Sequence, residues 1–193
     1  MANLPRRNKY HLSEQLHTNS LDAFYMVRDS EDGHALAAVQ EYSSLPQKIS
    51  RMFLDKVFLP SHFVMTTDEG DKIFSLDRPI SPLKPEFTMR NPKGRTVCIF
   101  KKSSFNFAPE VDVLDETATQ IATISGDLRK SKFVFKDKSG KLISVIYHES
   151  SLLKDFLCTA DDYKIIMENE TLDTVFHEMS VAAALCLDVM YHD

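Results

Sequence analysis

The chain has 193 residues and a mass of 22.0 kDa, which suits one domain or one domain with a short tail. Hydrophobic residues make up 43% and charged residues 26%, values that exclude a disordered chain, a collagen-like chain and a disulfide scaffold. The net charge of −5 argues against a surface that coats nucleic acid, so no nucleic-acid partner is expected.

The N-terminal residues 1–20 are polar and carry no turn–strand pattern, which predicts a flexible segment ahead of a single domain over residues 21–193. Basic residues at positions 6, 7 and 9 are not followed by the apolar run of a secretory signal. Isolated cysteines at positions 98, 158 and 186 fit a reducing compartment. We therefore expect a cytoplasmic protein, unless a partner or a membrane recruits it.

Short strands are predicted along most of the chain, because the five glycines lie in turn-like dipeptides between segments of alternating polarity. In one such segment Phe133 and Phe135 share one face while Lys132 and Lys136 share the other. The predicted strands cover residues 24–28, 35–40, 62–67, 72–76, 86–90, 96–100, 111–114, 120–125, 132–136, 142–147, 155–158 and 163–167. Strands at hairpin spacing predict an antiparallel sandwich or barrel.

The last segment, from about Asp173 to Tyr191, predicts a helix whose apolar residues point in every direction. A helix without a polar face has to be buried on all sides, and a closed antiparallel barrel of about twelve strands is wide enough to enclose it. Ala182, Ala183 and Ala184 would let the strands approach closely. The alternative is an ordinary helix packed between a sheet and solvent.

Several segments resemble phospholipid scramblases and their relatives, the LURP-one-related and YxjI-like proteins. The segments that carry the resemblance are Asp77-Arg78-Pro79, residues 85–89, residues 91–95, residues 152–156, residues 159–165 and residues 184–190. The resemblance covers roughly residues 45–193, and it implies the tubby-like fold, a twelve-stranded barrel around a central C-terminal helix. The chain departs from scramblases in having no proline-rich N-terminus and no cysteine cluster that could be palmitoylated.

The calcium segment of the scramblase family begins with an acidic residue, where this chain has Thr159. The oxygen donors nearby are Asp161, Asp162, Glu168 and Glu170, which are spread over a strand and a turn. Calcium takes six to eight oxygen ligands, so these four predict an acidic surface turn rather than a calcium site.

Known catalytic motifs are missing, since the sequence has no Walker loop, no GxGxxG and no GxSxG. His177-Glu178 opens like a zinc-protease motif, but Val181 stands where the second histidine is needed, which places His177 at the barrel rim instead. We therefore predict a non-enzymatic protein with no catalytic residue, no metal and no cofactor.

Basic residues concentrate in the middle of the chain, although the total charge is acidic. Lys130, Lys132, Lys136 and Lys138 share parity, so a strand would place them on one outer face. Such a face suits anionic phospholipid or phosphoinositide headgroups, which tubby-type domains hold on basic residues of the barrel exterior. The predicted lipid-binding residues are Arg129, Lys130, Lys132, Lys136, Lys138, Lys101 and Lys102.

Two other functions stay open at this point. The lysines could simply keep a solvated barrel exterior from aggregating, in a protein-interaction or regulatory barrel that never contacts lipid. An enzyme or a small-molecule carrier would need an interior cavity, which an enclosed helix would fill.

Overall fold

The computed structural model describes residues 2–15, 22–43, 59–80, 85–103, 108–149 and 162–191. They form twelve antiparallel strands that close into a barrel, and one C-terminal helix, so the expected barrel is confirmed. The strands are β1 (Lys9–Glu14), β2 (Phe24–Asp29), β3 (Ala35–Glu41), β4 (Ser61–Thr66), β5 (Lys72–Arg78), β6 (Glu86–Arg90), β7 (Thr96–Lys102), β8 (Glu110–Leu114), β9 (Gln120–Gly126), β10 (Lys132–Asp137), β11 (Leu142–His148) and β12 (Asp162–Met167), and the helix is α1 (Thr174–Tyr191).

Each strand pairs with its neighbours in the chain, and β1 closes the barrel by pairing with both β2 and β12. The alternation seen in the sequence sets which side chains face inward. Phe133 and Phe135 of β10 are fully buried, whereas Lys132 and Lys136 on either side of them in the chain are exposed. The predicted strand at residues 155–158 lies outside the described residues.

The helix α1 fills the barrel, as its all-round apolar sequence predicted. All residues from Met179 to Met190 are buried, and Ala182, Ala183 and Ala184 have no exposed surface. By length and composition α1 is the one helix among the described residues that could cross a membrane, but 72% of it is buried inside the barrel. A buried core helix passes the same test of length and apolarity.

The polar side chains of α1 have partners inside the barrel. Ser180 lies 2.9 Å from the hydroxyl of Ser144 in β11. The carboxylate of Asp188 accepts hydrogen bonds from the hydroxyls of Tyr25, at 2.5 Å, and Tyr163, at 3.0 Å. These bonds offset the cost of burying a hydroxyl and a carboxylate in an apolar interior.

The N-terminal segment is not flexible throughout, so that prediction was wrong for residues 2–14. Tyr10 and Leu12 alternate with polar residues in β1 and are fully buried, because β1 fills the gap between β2 and β12. Ahead of β1, Leu4 is buried in the core, and Arg7 forms an ion pair with Asp29 at 2.7 Å. The barrel domain therefore includes residues that we had placed outside it.

Four of the five glycines occupy hairpin turns with positive φ, as predicted: Gly33, Gly70, Gly94 and Gly140. Gly126 is the exception, since it ends β9, and the turn comes one residue later. A Cβ atom at Gly126 would lie 2.6 Å from the ring of Phe133 and 3.0 Å from Pro109. Glycine is required there by close packing rather than by turn geometry.

Alternate connections place every second turn at the same end of the barrel. The N-end, where α1 begins, carries the tight hairpins with the positive-φ glycines. The C-end, where α1 finishes, carries the connections 15–23, 42–60, 79–85, 103–109, 127–131 and 149–161. Of these, only the connection 127–131 lies wholly within the described part of the chain.

Candidate functional site

The seven predicted lipid-binding residues do not form one face, because they lie at opposite ends of the barrel. Arg129 and Lys130 lie in the connection 127–131 at the C-end, and Lys132 begins β10 beside them. Lys136 and Lys138 lie towards the N-end. The distance along the strand from residue 132 to residue 138 is about 20 Å at 3.3 Å per residue. The basic residues therefore divide into a C-end group and an N-end group.

Lys102 and Lys130 contact the last turn of α1. The ammonium group of Lys102 donates a hydrogen bond to the carbonyl of Met190 at 3.0 Å and lies 4.2 Å from the ring centre of Tyr191. The ammonium group of Lys130 reaches the carbonyl of Tyr191 at 3.5 Å. Both cations donate to carbonyl groups that a helix leaves unpaired at its C-terminus. Their positive charge also interacts favourably with the negative end of the helix dipole. Their role here is to stabilise the helix end.

Burial of Lys102 lowers the pKa of its ammonium group, and the nearby charge of Lys130 lowers it further. Lys130 departs from the predicted outer face because its φ of 57° interrupts the alternation before β10 begins. The prediction from alternating positions assumed an extended strand through residue 130, so it missed this change in backbone direction.

The connection 127–131 is held rigid by the side chain of Asp127, which is turned towards its own backbone. Its carboxylate accepts hydrogen bonds from the amide of Ser131 at 2.7 Å, the hydroxyl of Ser131 at 2.8 Å and the amide of Lys132 at 3.2 Å. Burial works to raise the pKa of Asp127, but these hydrogen bonds outweigh it and hold the pKa below its ordinary value. The turn thus presents Leu128 and Arg129 to solvent in a fixed geometry.

Leu128 at the tip of this turn is 76% exposed, which sequence reasoning missed. The turn-like dipeptide Ser125-Gly126 predicted a turn at Gly126, so the apolar side chain between Asp127 and Arg129 was not recognised as a protruding one. The exposed cations Arg129 and Lys132 follow it in the chain, and Asp127 precedes it. The C-end therefore combines exposed cations with an exposed apolar side chain.

Lys101 points outward from β7 and is paired in register with two acidic residues. Glu86 of β6 and Asp112 of β8 lie opposite it on the neighbouring strands. Opposite charges across a sheet attract one another, so Lys101 adds little net positive charge to the surface. Of the predicted residues, Arg129 and Lys132 are the exposed cations at the C-end.

Lys136 and Lys138 line a shallow groove of about 300 Å³ near the N-end, together with Gln120 and Thr123. Asp137 also lines the groove, and the amide of Gln120 donates to Asp112 at 3.0 Å. The carboxylate of Asp137 accepts hydrogen bonds from the amides of Ser139 and Lys141, as that of Asp127 does from Ser131 and Lys132, so each group has one acidic residue bonded to its own turn.

His177 lies at the N-end, near the start of α1, and its side chain is fully buried there. Its Nδ1 lies 2.8 Å from the hydroxyl of Tyr10, and Val181, four residues on, faces the barrel interior. Burial lowers the pKa of His177 and raises that of Glu178, which accepts the amide of Leu4 at 3.3 Å. Both side chains help to close the N-end beneath the N-terminal segment.

His62, Asp77 and Arg90 form a second polar cluster, on the outer face of β4, β5 and β6. Asp77 lies 2.5 Å from Nδ1 of His62 and 3.5 Å from Nε of Arg90. The three side chains line a groove of about 370 Å³. One carboxylate is shared between an imidazole and a guanidinium group, an arrangement that balances charge on the sheet surface.

The remaining candidates give no reactive site within the described ranges. Cys98 and Cys186 are buried, and burial raises the pKa of both thiols, whereas Cys158 lies outside the described residues. Asp161, one of the four possible calcium ligands, also lies outside them. Among the described residues, no group of three or more His, Cys, Asp or Glu side chains could hold a metal ion.

Comparison with known proteins supports the fold. No family model matches the chain, and none of the curated proteins does so either. The structure is similar to the X-ray structure of a protein from Arabidopsis thaliana, with a TM-score of 0.56 over 97% of this chain and 93% of the plant chain. The two sequences are 10% identical, so the similarity extends to the fold alone.

Proposed function

We propose that this chain is a non-enzymatic module that binds anionic phospholipid at a membrane surface through the C-end of its barrel. The observation that carries the proposal is the arrangement around the turn 127–131. Lys102 and Lys130 bind the carbonyl groups at the helix terminus. Arg129 and Lys132 are exposed beside the protruding Leu128, and residues 127–132 carry three cations against the one carboxylate of Asp127, a net charge of +2.

The expected electrostatic contribution is small. Each Lys or Arg near an anionic membrane surface contributes about 1 kcal/mol, so Arg129 and Lys132 together supply about 2 kcal/mol. This is about half of the roughly 4 kcal/mol that corresponds to a dissociation constant near 1 mM. Binding by these charges alone is therefore weak, reversible and sensitive to salt, as for a peripheral protein on the cytoplasmic side of a membrane.

The resemblance to phospholipid scramblases, LURP-one-related proteins and tubby-type domains supports the same proposal. A barrel around a central C-terminal helix is the fold that this resemblance implies. The interior filled by α1 argues for a binding role and against a carrier or an enzyme, since the barrel axis is occupied by side chains such as Ala183 and Leu187. Transport of lipid between leaflets is not part of the proposal.

A vesicle sedimentation experiment tests the proposed function. The parent protein is mixed with vesicles of phosphatidylcholine alone, with added phosphatidylserine, and with added phosphoinositide, at 0.1 M and 1 M salt. We expect binding to both anionic compositions at 0.1 M, and its loss at 1 M as the Debye length falls from about 10 Å to 3 Å. Equal binding to all vesicles, or no binding to any, would favour the protein-interaction barrel instead.

A further inference from the structure

Among the described residues, most of the large exposed apolar side chains lie at one end of the barrel. Four large apolar residues are exposed in the described part of the chain: Tyr42 (51%), Ile80 (73%), Leu128 (76%) and Val175 (37%). Tyr42 follows β3, Ile80 follows β5, and Leu128 lies between β9 and β10, so all three belong to the C-end. Val175, the least exposed of them, lies at the start of α1 at the N-end.

Single exposed apolar residues are common on soluble proteins, and one alone would need no explanation. Here Leu128 and Ile80 are the two most exposed, and they lie at different places around the same rim, because the four strands β6, β7, β8 and β9 separate them. Leu128 is also held out by a turn whose backbone is fixed through Asp127. A flexible turn could fold such a side chain back onto the barrel, whereas this one keeps it in solvent.

The charges beside Leu128 indicate what covers it. Arg129 and Lys132 follow the apolar tip in the chain, and Lys102 and Lys130 lie against the ring of Tyr191 at the helix end. An apolar protrusion with cations at the same end of the barrel matches a membrane interface, where anionic headgroups lie above the acyl chains. A protein partner with an apolar surface would leave the cations without a counter-charge. A protein partner with an acidic surface would leave the protruding leucine without an apolar contact.

We infer that the barrel docks end-on, meeting an anionic bilayer through the described residues of its C-end rim, with Leu128 and Ile80 inserted among the lipids. This inference rests on the proposed function and adds the orientation and the inserted residues. The inserted side chains supply the apolar contribution that Arg129 and Lys132 lack, because burying apolar surface strengthens the binding of interfacial proteins.

Tryptophan fluorescence tests the orientation, because the chain contains no tryptophan of its own. Three single variants, Leu128→Trp, Ile80→Trp and Val175→Trp, each introduce one fluorophore at an exposed apolar position. On vesicles containing phosphatidylserine and bromine-labelled acyl chains, we expect a blue shift and quenching at positions 128 and 80. Val175→Trp is the matched control at the N-end and should keep the emission that it shows in buffer.

A second variant, Leu128→Ser, keeps the result interpretable if tryptophan perturbs the turn. Its binding to phosphatidylserine vesicles should be about tenfold weaker than that of the parent, with an unchanged melting temperature, since the side chain is exposed in the folded protein.

If the parent sediments with these vesicles but positions 128 and 80 are not quenched, the orientation is wrong and the proposed function stands. Quenching at 128 alone, or at 175 as well, also overturns the end-on orientation. If the parent does not sediment, both proposals are wrong.

Discussion

Replacing Lys102 with methionine separates a structural role at the helix end from a role in lipid binding. The ammonium group of Lys102 donates to the carbonyl of Met190 at 3.0 Å and lies over the ring of Tyr191 at 4.2 Å. Methionine keeps most of the length and apolar surface of the side chain but removes the charge and the donor. The substitution therefore tests whether the helix needs a cation at this position.

The expected cost follows from three contributions. A cation at a helix C-terminus contributes about 0.3–1 kcal/mol, a cation–π contact about 0.5–1 kcal/mol, and a hydrogen bond about 0.5–1.5 kcal/mol. Burial of the ammonium group opposes these contributions, as the lowered pKa of Lys102 indicates. We expect a net loss of about 1–2 kcal/mol, which corresponds to a fall in melting temperature of about 2–8 °C for a chain of this size.

Thermal unfolding followed by circular dichroism measures this change, and Lys101→Met is the matched control. Lys101 is the neighbouring residue in β7 but points outward, with Glu86 and Asp112 opposite it. We expect its replacement to change stability by less than about 0.5 kcal/mol, as is usual for surface substitutions. Equal melting temperatures for the parent and Lys102→Met would refute the assignment of Lys102 to the helix end.

Three further substitutions test the packing of the barrel. Ala183→Asp, which buries an unpaired charge, should cost about 3–5 kcal/mol or prevent folding, and a variant that melts like the parent would contradict an enclosed α1. Leu4→Ala should cost about 2–3 kcal/mol, whereas an unchanged melting temperature would mean that residues 2–8 do not cover the N-end. Because burial lowers the pKa of His177 below its ordinary 6.5, the parent should lose stability as pH falls below about 6.5, and His177→Asn should remove that loss; parallel pH profiles of melting temperature would contradict this.

The sequence predicted the barrel because its strands and its helix each carry a strong local pattern. Alternation such as that around Phe133 and Phe135 identifies a half-buried strand, and the all-round apolar helix has only the barrel interior in which to bury itself. The strand β1 was missed because Tyr10 and Leu12 are only two apolar positions without a flanking turn signal. Its place between β2 and β12 is a property of barrel closure, which no local pattern encodes.

The candidate site was only partly predictable, because its geometry depends on contacts distant in sequence. The composition of the central region indicated a basic surface, but Lys102 and Lys130 contact a helix end that lies 88 and 61 residues further along the chain. The predicted position of the turn relied on Gly126, but this glycine packs closely against Phe133 and does not bend the chain. With the turn placed one residue early, the exposure of Leu128 could not be anticipated.

Charge reversal at the two ends of β10 tests the proposed function most directly. One double variant carries Arg129→Glu and Lys132→Glu at the C-end, and its matched control carries Lys136→Glu and Lys138→Glu towards the N-end, with the same change in net charge. On phosphatidylserine vesicles at 0.1 M salt, we expect the first variant to lose sedimentation and the second to keep most of it, while both melt like the parent. Equal losses for the two variants, or a loss confined to the second, would contradict binding through the C-end of the barrel.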